Sequence, residues 1–364
     1  MELGELSSRF GNFYAPACSV RVDGQDLTRD LALAVGRVEV ELRISEMARF
    51  SFSLVNCFDV DDFRSGRGQD VLALLQFGAS IEVAMGYGEH GRLPVLLGGT
   101  ITQIDTNFTE GGSPELVVSG FDHLFPMSLG TESRNWRERR HDALVNWLAG
   151  QYDLDVDAPE TLEHEQVEQN QQNDKQFLKA LAEQNNFIFY VTPQRVLRFR
   201  PPQTDVSPVA TLRWGRTLST FRPSGNLAAQ VSGVEVYGWN RDTKESIVGR
   251  ARAGDETGRQ PGRTSAGDRL SQAMPDPPIL RVRQPVFSQA EADRRAQAIL
   301  TDYAREFVTG EGECVGLPEL LPDRKVGLEG LGTTFSKPYY ITQTVHTVDG
   351  NGYRTRFTIE ESTL

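Results

Sequence analysis

The feature that most constrains the fold of this chain is a hairpin pattern that occurs twice. Residues 99–120 read GTITQIDTNFTEGGSPELVVSG, and residues 339–360 read YYITQTVHTVDGNGYRTRFTIE. Both contain the tripeptide Ile-Thr-Gln, a glycine turn and a second strand, and a further apolar strand, SIEVAMGYG or KVGLEGLG, precedes each. Because a repeated supersecondary unit indicates a repeated architecture, the sequence predicts two related β-domains.

The first of these domains is predicted to be a β-barrel over residues 1–125. Apolar and polar residues alternate with the period of a half-buried strand, and a short helix is predicted over residues 70–77. The alternating apolar positions include Val38, Val40, Leu42, Phe50, Phe52 and Leu54.

An α+β insertion, a small helix-hairpin domain, is predicted over residues 134–202. Asn173 can cap a helix with Gln176 three residues later, and an aromatic hairpin follows over residues 187–199. The apolar stripe of this helix consists of Phe177, Leu178 and Leu181. A preceding helix is expected to end near Gly150.

Residues 203–248 and 307–364 are predicted to form the second β-barrel domain, so the fold class is mainly β with an α+β insertion. Residues 249–306 are predicted to be a mobile loop and a helix. The stretch 249–285 has seven Arg and few apolar residues, which favours a solvated loop. Ser288 and Glu291 predict the start of the helix that follows.

Composition excludes several functional classes. The net charge of −12 disfavours nucleic acid or an anionic membrane as the main partner. Cys18, Cys57 and Cys314 are odd in number and widely spaced, so neither a disulfide framework nor a zinc site is predicted. The N-terminus has no signal-peptide pattern and no segment is apolar enough to insert in a membrane, which predicts cytoplasmic synthesis.

The motifs that could carry chemistry lack their required context. Gly86-x-Gly88-x-x-Gly91 is followed by a proline-containing strand rather than a helix, which favours a turn. The acidic residues at 153, 155 and 157 have calcium-loop spacing, but Ala158 and His164 occupy positions that need Gly and Glu. We therefore predict no catalytic residue, no metal and no cofactor. His346 is expected to be satisfied by neighbours in its sheet.

Three segments together resemble the phage late control D family of baseplate hub proteins. They are NQQNDKQFLKALAEQNNFIFYV, VSGVEVYGWNRDTKESIVG and the closing series from AREFVTGEGECVG to GNGYRTRF. The resemblance covers almost the whole chain. It departs from the family pattern at Asp323-Arg324, where Gly usually precedes the strand, and in the long loop 249–285.

The resemblance implies a structural hub, not an enzyme, that adapts a sixfold inner tube to a threefold spike in a contractile phage tail or injection particle. It implies a homotrimer that binds an inner tube protein, a separate trimeric spike protein and other baseplate proteins. The alternatives are a tail-associated or secreted glycan or cell-wall hydrolase, motivated by the acidic surplus, and a host-surface adhesin.

A candidate assembly interface follows from the paired hairpins, which we expect to expose edge strands toward the tube or a neighbouring chain. Its residues are Ile101, Gln103, Ile104, Phe108, Ile341, Gln343, Val345 and Val348.

Overall fold

The computed structural model describes residues 3–55, 70–108, 115–204, 206–240, 244–259, 262–284, 286 and 288–364. Cys57 and the predicted turn at 109–114 lie outside these ranges. The helices are α1 (Leu3–Arg9), α2 (Val71–Leu74), α3 (His141–Gly150), α4 (Asp174–Asn185), α5 (Ala266–Ala273), α6 (Gln289–Arg305) and α7 (Gly332–Phe335).

The chain is mainly β, as predicted. The strands in the first third are β1 (Pro16–Val22), β2 (Gln25–Asp26), β3 (Ala34–Arg43), β4 (Arg49–Val55), β5 (Ser80–Tyr87), β6 (Val95–Asn107) and β7 (Glu115–Asp122). The middle third has β8 (Glu132–Arg140), β9 (Asp155–Asp157), β10 (Glu163–Gln172), β11 (Ile188–Val191), β12 (Val196–Arg200), β13 (Ala210–Arg213) and β14 (Leu218–Gly225). The last third has β15 (Gly233–Asn240), β16 (Glu245–Arg252), β17 (Ile279–Arg283), β18 (Val308–Val315), β19 (Arg324–Glu329), β20 (Pro338–Asp349) and β21 (Gly352–Glu361).

Thirteen strands form one sheet rather than two closed barrels. Its order is β14-β18-β21-β20-β3-β4-β7-β6-β5-β1-β2, and β19 with β13 branches from β20. The described strands contain no closed barrel, and the pairing of β20 with β3 joins the two halves edge to edge. Each half has its own core, one around Phe50 and Phe52 and the other around Tyr339 and Phe357.

The two halves repeat the same five-strand unit. In the first repeat, β3 to β7 are arranged as β5-β6-β7-β4-β3, and in the second repeat the order is β19-β20-β21-β18-β14. Taken in chain order, the strands of the second repeat occupy the same places in the sheet as those of the first repeat. The strands β14, β18, β19, β20 and β21 correspond to β3, β4, β5, β6 and β7. The hairpin similarity found in the sequence therefore extends to the whole unit.

Irregular positions in the two repeats also correspond. The β6–β7 register shifts between Ile101 and Gln103, and the β20–β21 register shifts between Ile341 and Gln343. A second shift lies after Val35 in β3 and after Leu218 in β14. Because β-bulges change the direction of a strand, matching bulges give the two units the same local bend.

The α+β insertion contains α3, α4 and two small sheets, β8–β10 and β11–β12–β9. Its α4 begins with the predicted capping box, in which Asn173 accepts from the Gln176 backbone N–H at 2.8 Å and Gln176 accepts from that of Asn173 at 3.0 Å. The predicted stripe packs into the core of this unit, because Phe177, Leu178 and Leu181 are all buried.

Residues 249–285 contain regular elements, so the mobile-loop prediction is wrong for much of this stretch. It holds the end of β16, α5 and β17. Strands β16, β15 and β17 form a separate sheet against α6, which places β15 outside the large sheet to which its segment was assigned. This stretch needs few apolar residues of its own to fold, because the core of the sheet also contains Val234 and Val236 of β15, which are buried with Ala251 against α6. The domain boundaries remain predictions.

Candidate assembly interface

The eight candidate residues lie on two strands that are not neighbours. Those at 101–108 belong to β6 or follow it directly, and those at 341–348 belong to β20, with β3, β4 and β7 between the two strands. Ile101 and Ile341 are buried at equivalent places, whereas Gln103 is exposed and Phe108 is 60% exposed. The structure therefore does not bring the two sets together within one chain.

Strand β20 is not an exposed edge, contrary to our expectation. Residues 343–348 pair with β3 in the register Gln343↔Arg43 to Val348↔Val38. Cross-strand side chains add to the ladder, since Gln343 Nε2 donates to Glu41 Oε1 at 2.7 Å. Val345 is half-buried and Val348 is 8% exposed.

Strand β6 is an edge only beyond Ile101. Its first half pairs with β5, and the Ile101 amide and carbonyl bond to Ala79 and Gly78. From Gln103 to Thr106 the strand pairs with β7 on one side, and none of the described strands pairs with the other side. Of the candidate residues, Gln103 and Ile104 therefore lie at an open edge of the described sheet, and their role in assembly stays a prediction.

A second open edge, on β14, was missed by the sequence reasoning. This strand ends the large sheet and pairs only with β18 among the described strands. Phe221 and Pro223 are half-exposed, although their equivalents in β3, Val38 and Val40, are fully buried. Pro223 is a signal that could have revealed the edge, because proline in sheets is confined mainly to edge strands.

A polar groove lies beside this edge. It has a volume of about 460 Å³, and its walls come from β14, β18, β20 and β21. The Arg356 guanidinium lies 3.1 Å from the Glu313 carboxylate, which pairs charges across the two strands. The charged and polar residues that line the groove are Thr220, Arg222, Glu311, Glu313, Gln343, Arg356 and Thr358.

His346 is a structural residue satisfied by its surroundings, as predicted. The Leu320 carbonyl can only accept, so Nε2–H donates to it at 3.0 Å, and the Tyr353 hydroxyl donates to Nδ1 at 2.8 Å. Burial lowers the pKa of His346 to about 4, which keeps the ring neutral near pH 7.

The two motifs that resembled ligand sites form ordinary backbone structure. Gly88 has a φ of +90° in the turn that joins β5 to a short 3-10 helix before β6, so this glycine pattern is a turn, as predicted. Asp155–Asp157 form β9 beside β12. Within the described residues, no group of three or more His, Cys, Asp or Glu could hold a metal ion. The helices described are also too short or too polar to cross a membrane.

Solved structures with the same fold are tail proteins and a secretion component. The tail protein from Neisseria meningitidis MC58 aligns with a TM-score of 0.70 and 16% identity over 96% of this chain and 97% of that chain. A 43 kDa tail protein of prophage MuSo2 from Shewanella oneidensis gives 0.69 and 12% over 95% and 98%. The c3393 protein of E. coli, a type VI secretion component, gives 0.57 and 12% over 93% and 76%.

At these identities, the structural matches show a common fold. A search of curated proteins found no match. The family model described as the Alg8 N-terminal domain matches residues 15–350, which is most of the chain. The chain therefore belongs to the Alg8 N-terminal domain family.

Proposed function

We propose that this protein is a structural, non-enzymatic component of a contractile tail or injection particle, and that it acts as a trimeric hub between an inner tube and a spike. The observation that carries the proposal is the duplicated five-strand unit, with the same strand order and the same two bulge positions in both halves. The fold shared with phage tail proteins and a type VI secretion component supports a place in such an assembly.

The duplication solves a problem of symmetry. A sixfold tube cannot contact three identical surfaces evenly, but three chains with two similar units each present six similar surfaces. The parts that occur once per chain, including the α+β insertion and the β15–β17 sheet with α6, keep threefold symmetry. These unique parts are therefore the natural contacts for a threefold spike and for other baseplate proteins.

The contacts between units favour a rigid adaptor over a chain of flexible modules. The halves share six residue pairs between β20 and β3, from Gln343↔Arg43 to Val348↔Val38. The Arg200 guanidinium of the insertion lies 2.9 Å from the buried Asp323 carboxylate beside β19. Backbone pairing and a buried ion pair resist relative motion of the parts they join.

The proposal is tested by the mass of the purified protein and by its binding partners. We expect a trimer by native mass spectrometry, and co-purification with the tube and spike proteins of the same particle. A protein that stays monomeric at high concentration and binds neither partner contradicts the hub function. Turnover of peptidoglycan or polysaccharide by the purified chain would instead support the hydrolase, and binding to cells by the isolated chain would support the adhesin.

A further inference from the structure

The two repeats differ in one respect, which is what covers their equivalent edges. In the second repeat, residues 343–348 of β20 pair with β3, the first strand of the first repeat. In the first repeat, residues 103–106 of β6, the equivalents of 343–346, have no such partner among the described strands. The equivalent of β3 in the second repeat is β14, which has an open edge of its own.

We propose that β6 of one copy pairs with β14 of the next copy, in the same antiparallel arrangement that joins β20 to β3 within a chain. One chain then supplies an open β6 edge and an open β14 edge, and successive copies form a continuous sheet. This inference deepens the proposed function and rests on it for the number of copies in the ring. The strand pairing itself follows from the repeat.

The register follows from equivalent positions. The bulges make Gln103 equivalent to Gln343, so that their partners Ser119 and Thr358 also correspond. The same comparison can be followed along the sheet, from β7 to β4 and β3 in the first repeat and from β21 to β18 and β14 in the second. It makes Val35 equivalent to Leu218 and Val38 equivalent to Phe221. Transferring the β20–β3 register then gives the pairs Gln103↔Asn226, Ile104↔Gly225, Asp105↔Ser224 and Thr106↔Pro223.

Backbone direction at both edges agrees with this register. The Asn226 amide donates to the Phe307 carbonyl, so alternate residues of β14, Gly225 and Pro223 among them, point their backbone groups to the open side. The Ile44 amide donates to the Thr342 carbonyl, so Thr342 and every second residue after it in β20 point their backbone groups toward β3. The repeat transfers this alternation from β20 to β6. By this alternation, the backbone groups of Ile104 and Thr106 point to the open side. Pro223 lacks one donor, but its carbonyl can accept from Thr106.

Side chains at the two edges are complementary. Asp105 and Arg222 would lie in the same diagonal relation as Gln343 and Glu41, which are hydrogen bonded at 2.7 Å within the chain. An opposite-charge pair at this place favours the register. On the other face, Ile104 meets Gly225, and the half-exposed Phe221 gains the cover that Val38 already has.

The pairing must occur between copies. From β14 the sheet order runs through β18, β21, β20, β3, β4 and β7 before it reaches β6. At a spacing of about 4.8 Å per strand, these seven steps place the two edges about 34 Å apart along the sheet. A contact between different edges of successive copies is heterologous, and it closes into a ring when the rotation per copy permits.

Disulfide trapping between separately mutated chains tests the register. Directly opposite residues in a pair without mutual backbone hydrogen bonds have Cα atoms about 4.5 Å apart, within the range that a disulfide spans. Asp105→Cys and Ser224→Cys occupy such a pair. The two single variants, with different tags, are co-expressed and oxidised, and Asp105→Cys with Thr220→Cys is the matched control four residues out of register.

We expect a disulfide-linked dimer carrying both tags, at about ten times the yield of the control pair, because misplaced cysteines exceed the disulfide span. Equal yields from both pairs, or no crosslink in a sample that native mass spectrometry shows to be a trimer, would overturn the pairing and leave the hub function standing. A specific crosslink in a protein that binds neither tube nor spike would support the pairing and contradict the hub function.

A second pair of variants tests the backbone contact without new cysteines. Thr106→Pro removes the N–H that points to the open edge, whereas Thr106→Val removes only the hydroxyl. Thr106 is exposed, so both variants are expected to fold with the circular dichroism spectrum of the wild type. Dissociation of the trimer by Thr106→Pro but not by Thr106→Val supports the pairing, and a stable trimer in both folded variants contradicts it.

Discussion

Asp323 connects the α+β insertion to the second repeat, and its replacement should destabilise the protein strongly. Its side chain is fully buried and accepts from the Arg200 guanidinium at 2.9 Å, the Gln203 backbone N–H at 2.7 Å and the Tyr340 hydroxyl at 3.0 Å. Its φ of +60° lies in the left-handed region, which favours Gly. Asp tolerates this conformation better than most residues.

The cost of Asp323→Ala has two parts. Leaving a buried charge without its partner costs about 3 to 5 kcal/mol, and the lower end applies because Arg200 keeps Asp157 within 3.9 Å. A left-handed alanine adds about 1 kcal/mol. The total is about 4 kcal/mol, which lowers the Tm of a chain of this length by about 5 °C if it unfolds as one unit.

Calorimetry on three variants separates these parts. Asp323→Gly keeps the backbone conformation and loses the carboxylate, so its Tm should lie about 1 °C above that of Asp323→Ala. Asp323→Asn keeps an acceptor oxygen and tolerates the left-handed region, so it should be the least affected. A Tm for Asp323→Ala within 1 °C of the wild type would refute the reasoning.

Three further predictions concern single residues. Because burial lowers the pKa of His346 to about 4 and the unfolded value is about 6.5, the unfolded state binds the extra proton between these values. The free energy of unfolding should therefore fall by about 3 kcal/mol more in the wild type than in His346→Gln as the pH drops from 6.5 to 4, measured by urea titration; equal slopes contradict this. Asn173→Ala should lower the unfolding free energy by about 1 kcal/mol through loss of the α4 cap, whereas exposed Gln171→Ala, the control, should not. Burial raises the pKa of the Cys314 thiol, so maleimide should label it only after denaturation; labelling of the native protein at Cys314, located by peptide mapping, contradicts this.

Local signals in the sequence predicted local structure well. The capping box at Asn173 and Gln176 and the apolar stripe that follows it describe interactions within a few residues, and the structure has both. The same applies to the repeated hairpins, whose strands pair with their sequence neighbours. These elements were predictable because their hydrogen bonds close over short distances along the chain.

Two failures involve pairing between distant segments. Strand β20 was expected to be exposed, but it is covered by β3, some 300 residues earlier in the chain, and no feature of the Ile341 segment indicates that partner. Residues 249–285 were expected to form a loop because their apolar content is low. Only Ala251 and a few other residues of this stretch contribute to the core, since β15 and α6 supply the remaining apolar surface.

The duplicated unit and its open edges bear on how copies of the chain assemble. In a protein made of one unit, every copy would contribute the same edge pair, and all interfaces in a ring would be alike. Duplication turns half of these interfaces into covalently linked contacts, such as β20 with β3, which are free to diverge in sequence. Under the pairing proposed above, the remaining contacts, β6 with β14, would still have to recognise a separate molecule. In the linked interface, Val38 and Val40 of β3 are buried opposite Val348 and His346 of β20, whereas the open β14 edge carries Pro223, which limits pairing with unintended strands.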